Sequence, residues 1–450
     1  MDSSIAALKK TLEDRGVKYV LPTYSDMHGR SKSKMVPMTH FAKAMAGSEL
    51  FTGAAVEGVP QDVNDEEVSS HPDPASCTVM PWRPEIAWFA SDLWCEGKPF
   101  EPCSRTILGR VVSQAASMGY GVHAGVEAEF CVLKDGPGGS YLPMGGRPNL
   151  EKPAYDVVRL LENMPWMDEL ISAMNQLGWG VYSFDHEDAI GQFEVDFNYF
   201  DVKTMADRMV FFRMMADEIA RKHGGFASFM PKPFGDRAGS GAHFNLSLFD
   251  IKDRKKNLFE SEDDARKCKL SKIGYHFIAG VLRHLPAITA VVAPTVNSYK
   301  RLVPRGSRAG FTWAPVFVCY GGNNRTNTVR IPLGGGRIEL RLADAACNPY
   351  LGFAMVVAAG LEGIREKLDP GEPHWDNMYL KTAEERKTLG VAMLPRSLGE
   401  ALDAFEADPL SKAVMGEKMF GAWLEFKREE WHAYSVYVTD WEKDRYLKFF

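Results

Sequence analysis

Four stretches of the chain alternate apolar residues with residues whose side chains bind metal ions or anions. Successive side chains of a β-strand point to opposite faces, so the polar members of one stretch share a face. These members are Glu127 and Glu129; Gln192, Glu194 and Asp196; His243, Asn245 and Ser247; and Arg337, Glu339 and Arg341. The segment 328–332 adds Arg330. The pattern predicts five strands that share a face rich in carboxylate, imidazole and guanidinium groups.

An antiparallel sheet with one solvated face would explain any single strand of this set. It explains the whole set less well, because an ordinary solvated face is rich in Thr, Lys and Ser rather than Glu, His and Arg. Carboxylates gathered in one cavity repel each other unless cations lie between them, and oxygen donors with an occasional imidazole suit Mg²⁺ or Mn²⁺. Arginines beside them would bind phosphate or carboxylate in bidentate fashion. The combination predicts phosphoryl transfer by positioning and charge neutralisation.

Composition narrows the class of protein. The chain has 450 residues, 45% hydrophobic and 25% charged, which is typical of a globular protein of two or three domains. Its net charge of -6 gives no electrostatic reason to expect nucleic acid or an anionic membrane as a partner. No apolar run is long enough to span a bilayer, and the first residues lack the pattern of a signal peptide.

Cysteine usage and missing nucleotide motifs add two expectations. The seven cysteines are scattered and form no Cys-x-x-Cys pair, which indicates free thiols in a reducing cytoplasm. The sequence has neither a Gly-x-x-x-x-Gly-Lys-Ser/Thr loop nor a Gly-x-Gly-x-x-Gly motif after a strand. If ATP binds, an architecture other than these two common nucleotide folds must hold it.

The elements that must position the polar face fall into two regions. A short helix ending near Gly16 and a strand over 17–24 precede a segment, 50–103, that is dense in Pro, Gly, Ser and acidic residues. Ser104 has the features of a helix N-cap, and Gly119 closes that helix. We therefore expect domains at 1–104 and 105–450. In the second region we expect a Gly/Pro-rich loop over 136–149 and a long helix that Gly224 ends.

Several longer motifs resemble signatures of the glutamine synthetase family, and they occur in that family's order over nearly the whole chain. They are Lys232-Pro-Phe-Gly-Asp-Arg-Ala-Gly-Ser-Gly-Ala-His243, His186-Glu187 with Gly191-Gln-Phe-Glu194, Asn297-Ser-Tyr-Lys-Arg-Leu-Val-Pro304, Asn324-Arg325 with Arg330-Ile-Pro332, and Asn348-Pro-Tyr-Leu351. The resemblance implies an α+β fold with an N-terminal β-grasp domain and a catalytic domain whose antiparallel sheet forms a funnel-shaped site. It also implies ATP, Mg²⁺ or Mn²⁺, and a homododecamer of two hexameric rings with sites shared between subunits.

The same resemblance implies roles for individual residues. One metal would be held by Glu129, Glu187 and Glu194, and the second by Glu127, His243 and Glu339. Glutamate would meet Arg301, Arg341, the backbone of Gly239 and Glu129. The nucleotide phosphates would meet Arg325, Arg330 and Arg337, with Ser247 and Asn245 in the nucleotide pocket. Asp26 of a neighbouring subunit would help to deprotonate the amine, and Glu187 and Arg325 are counted with it as catalytic.

Three departures from the family pattern bear on substrate choice. Trp313-Ala-Pro stands where ammonia-using members carry Glu-Ala-Pro, after a longer flap, and Phe51-Thr-Gly stands where they carry Phe-Asp-Gly. A family His matches Asn245. Methylammonium has three N–H donors where ammonium has four, so fewer carboxylates and an aromatic wall favour methylamine. Among family members the chain looks most like those that form γ-glutamylmethylamide through a γ-glutamyl phosphate.

Several alternatives remain open from the sequence. The nearest is a glutamine synthetase that uses ammonia, or a γ-glutamyl ligase for another small amine. A guanidino kinase shares the catalytic architecture, but the glutamate-binding arginines argue against it. An inactive relative would be expected to lose metal ligands, and all six are present here. Tyr379 lies near a regulatory tyrosine of some relatives but lacks its motif, so we expect an ordinary surface side chain.

Overall fold

The computed structural model describes residues 3–145, 153–304 and 313–450. Most of the predicted flap and the end of the predicted loop over 136–149 lie outside these residues. The described strands are β1 Tyr19–Ser25, β2 Ser31–Lys32, β3 Val36–Pro37, β4 Glu49–Phe51, β5 Val68–Pro72, β6 Thr78–Met80, β7 Arg83–Cys95, β8 Lys98–Pro99, β9 Tyr120–Asp135, β10 Tyr141–Pro143, β11 Val181–His186, β12 Gln192–Phe197, β13 Phe200–Asp201, β14 Phe226–Ser228, β15 Ala242–Asp250, β16 Asp253–Asn257, β17 Tyr320–Gly322, β18 Val329–Ile331 and β19 Ile338–Leu340.

Helices are concentrated in the second half of the chain. Their bounds are α1 Ser3–Asp14, α2 Phe41–Met45, α3 Ser104–Ser117, α4 Val157–Gln176, α5 Val202–Lys222, α6 Lys272–Val292, α7 Ser298–Arg301, α8 Pro349–Glu366, α9 Ala383–Thr388, α10 Leu398–Ala407, α11 Pro409–Met415, α12 Glu417–Val436 and α13 Asp440–Tyr446. By length and composition alone, α6 could cross a membrane, but 78% of its apolar window is buried inside the protein.

The strands form two sheets, one before α3 and one after it. In the first, β1 lies parallel to β7, and the order is β2-β1-β7-β5-β4 with β3, β6 and β8 at the sides. In the second, the order is β11-β12-β9-β15-β19-β18-β17, and β10, β13, β14 and β16 pair at the sides. This mixed organisation confirms the predicted α+β class. The division at 104/105 stays a prediction, although α3 begins at Ser104 between the two sheets.

The five strands that carry the alternating polar residues are neighbours in the second sheet. They run β12-β9-β15-β19-β18, and each adjacent pair is antiparallel. The intervening apolar residues pack on the opposite face; for example, the ring of Phe244 stacks on Phe353 of α8 at 4.2 Å between centroids. Alternation therefore places every polar residue of the pattern on one face, because the other face must meet the helices.

Close contact between α6 and α8 supports that buried face. A Cβ added at Gly280 would lie 2.0 Å from the carbonyl oxygen of Ala359, and one at Gly363 would lie 2.1 Å from that of His276. Only glycine lets the two backbones approach so closely. The helix pair therefore forms a tightly packed layer behind the sheet and keeps its strands in place.

Three local expectations need correction. The N-cap of α3 is Cys103 without a side-chain cap, and the Ser104 hydroxyl instead donates to the Asp26 carbonyl at 3.3 Å. The predicted loop over 136–149 contains β10, which pairs with β9. Tyr379 is not an ordinary surface side chain, because it packs against the core and its hydroxyl donates to the carbonyl oxygen of Ala314.

Candidate active site

A row of carboxylates crosses three neighbouring strands of the second sheet. Glu129 on β9 lies directly opposite Glu194 on β12, and Glu194 lies directly opposite Asp185 on β11. Two residues along β9, Glu127 lies directly opposite His243 on β15. Like charges directly opposite each other on a sheet are destabilising. The ordinary packing of a solvated sheet does not account for three acidic side chains directly opposite one another on neighbouring strands.

The side-chain oxygens of this row converge. Atoms of Glu127, Glu194 and His243 lie within 4.8 Å of one another, and so do carboxylate oxygens of Asp185, Glu187 and Glu194. Glu194 thus belongs to both groups. Asp185 is a residue that the sequence analysis missed, because its position opposite Glu194 depends on the register of β11.

His243 and Glu339 connect the row to two arginines. The His243 Nδ1 lies 3.0 Å from Glu127 Oε2 and 3.5 Å from Glu339 Oε1, while its Nε2 lies 3.4 Å from Glu129 Oε1. Glu339 is fully buried and accepts hydrogen bonds from both Arg330 and Arg341, the latter at 2.7 Å. A buried carboxylate between two guanidinium groups is held in a fixed orientation.

Glu129 is oriented by neutral donors. Its Oε2 accepts a hydrogen bond from Gln192 Nε2 at 3.0 Å and one from the Gly241 backbone N–H at 2.9 Å. The Gln192 amide also donates to the Gly239 carbonyl at 3.0 Å. Gln192 therefore links the row of carboxylates to the loop before β15. The alternating pattern did not predict this role.

Crowding of the carboxylates shifts their pKa values. Burial, and then the charges of Glu129 and Asp185, raise the pKa of Glu187 to about 8. Burial, with Glu129 and Glu127, raises the pKa of Glu194 well above its usual range. Burial would also raise the pKa of Glu127, but hydrogen bonds from His243 and Asn245 outweigh it and lower the value to about 2.

This donor set fits divalent cations. Carboxylates at close range raise one another's pKa values. A cation between them stabilises their charged forms. Carboxylate oxygens with one imidazole are the ligands that Mg²⁺ and Mn²⁺ accept. Glu127, Glu187, Glu194 and His243 lie in the two close groups, whereas Glu129 and Glu339 turn toward protein donors.

Of the five predicted arginines, two are buried, two are exposed, and Arg330, which bonds to Glu339, is half-buried. Arg301 is buried and donates to the carbonyl oxygens of Leu342 and Arg341, each at 3.0 Å. Arg341 is buried as well, and its Nε has no hydrogen-bond partner among the described residues. Arg325 and Arg337 are exposed beyond the row. Three of the guanidinium groups are therefore buried or half-buried at the site, and two are exposed to solvent.

A cavity of about 640 Å³ opens beside the row. Its lining includes Glu127, Asn245, Ser247 and Arg337 from the predicted set, so three of the five residues expected at the nucleotide share one cavity with a metal-type ligand. Arg325 and Arg330 are not among the residues that line it, and the nucleotide role of all five stays a prediction. Its other side carries aromatic groups that sequence reasoning missed. There the His123 ring stacks on Phe249 at 4.2 Å between centroids and lies 5.0 Å from Tyr199, and all three rings line the cavity.

Two predicted residues are not joined to this cluster. The Asp26 carboxylate accepts bonds from the backbone N–H groups of His28 at 3.0 Å and Arg30 at 2.9 Å, within its own turn. Trp313 is 53% exposed and has a left-handed backbone with φ of 57°. The role of Asp26 across a subunit boundary and that of Trp313 at the amine stay predictions.

Gathered carboxylates, an imidazole and fixed arginines beside a nucleotide-sized cavity define a site of the phosphoryl-transfer class. A family model described as "Glutamine synthetase, catalytic domain" matches residues 101–446. The chain is 41% identical over 440 residues to the "Glutamate--methylamine ligase" of Methyloversatilis universalis, which covers 98% of both chains. It is 39% identical over 434 residues to a "Glutamine synthetase" of Rhizobium leguminosarum bv. phaseoli, covering 96% of this chain and 97% of the relative.

Solved structures agree over the same length. One described as "GmaS/ADP complex-Conformation 1" superposes with a TM-score of 0.90 at 38% identity, covering 98% of this chain and 99% of that one. Another, "Apo GmaS without ligand", gives a TM-score of 0.88 at 37% identity with the same coverage. The chain belongs to the glutamine synthetase family, as its motifs indicated.

Proposed function

We propose that the protein is an ATP-dependent ligase that joins the γ-carboxylate of glutamate to methylamine, forming γ-glutamylmethylamide. The observation that carries the proposal is full-length similarity, 41% identity over 98% of the chain, to a protein named "Glutamate--methylamine ligase". The site geometry supports it, because metal-type ligands and arginines meet beside a cavity on one face of the sheet.

Residues of the row would hold two divalent cations, Mg²⁺ or Mn²⁺. We assign Glu129, Glu187 and Glu194 to one and Glu127, His243 and Glu339 to the other. Glu194 belongs to both groups of close ligand atoms, so it would offer a carboxylate oxygen to either ion. When bound, the cations supply neutralisation of the charge that develops during phosphoryl transfer.

The chain's own residues position glutamate and ATP. Arg301 and Arg341 are buried cations suited to the carboxylates of glutamate, and the loop at Gly239 lies beside Glu129. Arg330, Arg325 and Arg337 would bind the phosphates, with Ser247 in the cavity. Attack by the γ-carboxylate oxygen on the terminal phosphorus of ATP releases ADP and gives γ-glutamyl phosphate, and the amine nitrogen then displaces phosphate from its acyl carbon.

The amine must lose a proton before it attacks. An alkylamine is protonated near neutral pH, as lysine is, so it arrives as a cation and is attracted to carboxylates. Glu187 and Asp185 lie together beside Glu194 and provide such a surface. Asp26 of a neighbouring subunit remains our proposed base for this proton.

The cysteines are free thiols, which supports the predicted location in a reducing cytoplasm.

Methylamine should give a kcat/KM at least about tenfold above that of ammonia, with glutamate and ATP saturating. One methyl group in an apolar pocket contributes roughly 10–200-fold, and an ammonium N–H without an acceptor adds to the difference. A side-by-side assay at matched pH measures it. Trp313→Glu should shift preference toward ammonia by supplying an acceptor, whereas Trp313→Phe, the matched control, should not.

Equal or better use of ammonia by the unmodified protein would leave the second candidate, a glutamine synthetase. Family membership supports that alternative, because a relative named "Glutamine synthetase" is 39% identical over 96% of the chain. The absence of a carboxylate at Thr52 and Trp313 is the observation that favours methylamine over ammonia.

A further inference from the structure

Asn245 lies between the metal-type ligands and the arginine at the rim of the cavity. It occupies β15 between His243 and Ser247 and is paired directly with Glu339 of β19. Its side chain is half-buried and lines the cavity. Asn245 therefore lies on the sheet face between the carboxylates and the cavity that is proposed to bind the nucleotide.

The Asn245 carboxamide bridges two charged groups. Its Nδ2 donates to Glu127 Oε1 at 2.9 Å, and its Oδ1 accepts a hydrogen bond from Arg337 Nε at 3.1 Å. The reverse orientation would set the amide oxygen against a carboxylate and the amide N–H groups against a guanidinium. The two charges therefore fix which end of the amide faces which neighbour, and both hydrogen bonds are charge-assisted.

The bridge also keeps those two charges apart. Glu127 and Arg337 are bonded to opposite ends of one small neutral group, and the ion pairs found in the described ranges of the chain include none between them. Without the amide, a carboxylate and a guanidinium so close to each other would attract and pair directly. A direct pair would compete with His243 and a bound cation for the Glu127 carboxylate, and with an incoming phosphate for the Arg337 guanidinium.

We propose that Asn245 is a positioning residue that keeps Glu127 free for a divalent cation and Arg337 free for nucleotide phosphates. The inference rests on the proposed function, since it needs both ligands to bind at this site. It differs from the role implied by family resemblance, in which Asn245 itself contacts the nucleotide. Here its hydrogen bonds go to two protein groups, and its effect passes through them.

The test measures the two ligands separately on the full-length protein. Mn²⁺ affinity is measured without nucleotide by electron paramagnetic resonance, and ADP affinity by calorimetry at saturating Mg²⁺. Asn245→Ala should weaken both by about tenfold or more, because each loses a charge-assisted partner and gains a competing ion pair. Asn257→Ala is the matched control, since Asn257 lines the same cavity but bonds the Gly336 carbonyl; its Mn²⁺ affinity should stay within about twofold.

A double variant separates positioning from a merely structural role. If Arg337 forms an ion pair with Glu127 in Asn245→Ala, then adding Arg337→Ala removes that ion pair. The double variant should therefore regain the Mn²⁺ affinity that Asn245→Ala lost. Asn245→His should also retain Mn²⁺ affinity, because a neutral imidazole offers one donor and one acceptor. Circular dichroism and sedimentation confirm that each variant folds, and the histidine variant keeps the test decisive if the alanine variant does not.

Two results would overturn the proposal. The first is an Asn245→Ala variant that loses ADP affinity but keeps its Mn²⁺ affinity. That result would mean that Asn245 only contacts the nucleotide and does not position Glu127. The second is a double variant with Arg337→Ala that fails to regain Mn²⁺ affinity. Failure of the unmodified protein to bind ADP would instead contradict the proposed function, and neither readout depends on which amine the enzyme prefers.

Discussion

Asp185 shows how one side chain alters the electrostatic balance of the site. Its carboxylate oxygen lies within 4.8 Å of those of Glu187 and Glu194, and burial followed by the charge of Glu129 raises its pKa. No ion pair with Lys or Arg is found for Asp185 or Glu194 in the parts of the chain that the structure describes. An additional cation is therefore favoured here, and the protonated amine is one that the proposed reaction brings.

Asp185→Asn should raise the KM for methylamine by roughly tenfold or more, because it removes a charge-assisted partner of the aminium group. The KM for hydroxylamine, which is neutral near pH 7 and so needs no anionic partner, should change much less. Asp188→Asn is the matched control, since it removes the same charge three residues along. Steady-state assays with each amine measure the effect; equal loss with both amines would argue for a metal-ligand role instead.

At this scale the sequence predicted the site unevenly. That Glu127, Glu194 and His243 share one face could be predicted, because alternation along a strand is visible in the chain itself, and the structure places the three together. Asp185 was missed because its place depends on how β11 pairs with β12, where the register shifts between Val181 and Ser183. Pairing across such an irregularity cannot be derived from one strand's composition.

At the scale of elements, the sheet was predictable and the helix contacts were not. The five polar strands had one possible buried face each, so their alternation fixed which residues faced the site. Contacts between helices depend on partners distant in the chain. His284 of α6 is an example: it is buried, with Nδ1 2.7 Å from Asp408 Oδ2 and Nε2 2.8 Å from Glu362 Oε1.

His284 should make stability depend on pH. Burial lowers its pKa, but hydrogen bonds to Asp408 and Glu362 outweigh burial and raise it above the usual value. A histidine with a raised folded-state pKa contributes stability fully below its unfolded pKa of about 6.5 and loses it as pH rises through the folded value. The Tm advantage of the unmodified protein over His284→Gln should thus shrink by at least roughly 2 °C between about pH 6 and pH 9.

Calorimetric or fluorescence melts across that pH range provide the measurement. His40→Gln is a suitable control, because the His40 ring contacts the Thr39 hydroxyl rather than a carboxylate. Arg283 and Arg365 also form ion pairs with Glu362, at 3.3 and 3.7 Å. Neither arginine is substituted, so both proteins keep these ion pairs and the Tm difference reports on His284. A Tm difference that is constant with pH would contradict the assigned charge state of His284.

At the scale of the whole molecule, the two sheets are joined by polar contacts that cross between them. Arg105 of α3 is buried and donates to Asp73 at 2.7 Å and Asp92 at 2.8 Å, beside β5 and on β7, and to Asp207 of α5 at 2.9 Å. The Asn348 amide donates to the Asp26 carbonyl at 2.9 Å. None of these pairs was predictable from spacing, because their partners are separated by up to 322 residues.

The C-terminal segment, which is α13 and the residues after it, exposes an apolar surface. Residues of α13 and beyond present large apolar side chains to solvent, including Trp441, Leu447, Phe449 and Phe450. Exposed apolar patches of this kind mark surfaces that associate with another chain. The family resemblance implies stacked hexameric rings, so we expect this segment to contact a second copy of the chain.

Replacing both Phe449 and Phe450 by Asp should therefore yield smaller assemblies than the unmodified protein forms. Each substitution would bury a carboxylate in an apolar contact, which is strongly unfavourable without a partner. Sedimentation velocity at matched concentration measures the assembly, and circular dichroism checks that the subunit itself remains folded. Val63→Asp is the matched control, because Val63 is equally solvent-exposed but lies in the loop before β5, far along the chain from the C-terminal segment. If the double variant and the control sediment identically to the unmodified protein, the C-terminal segment is not an assembly surface.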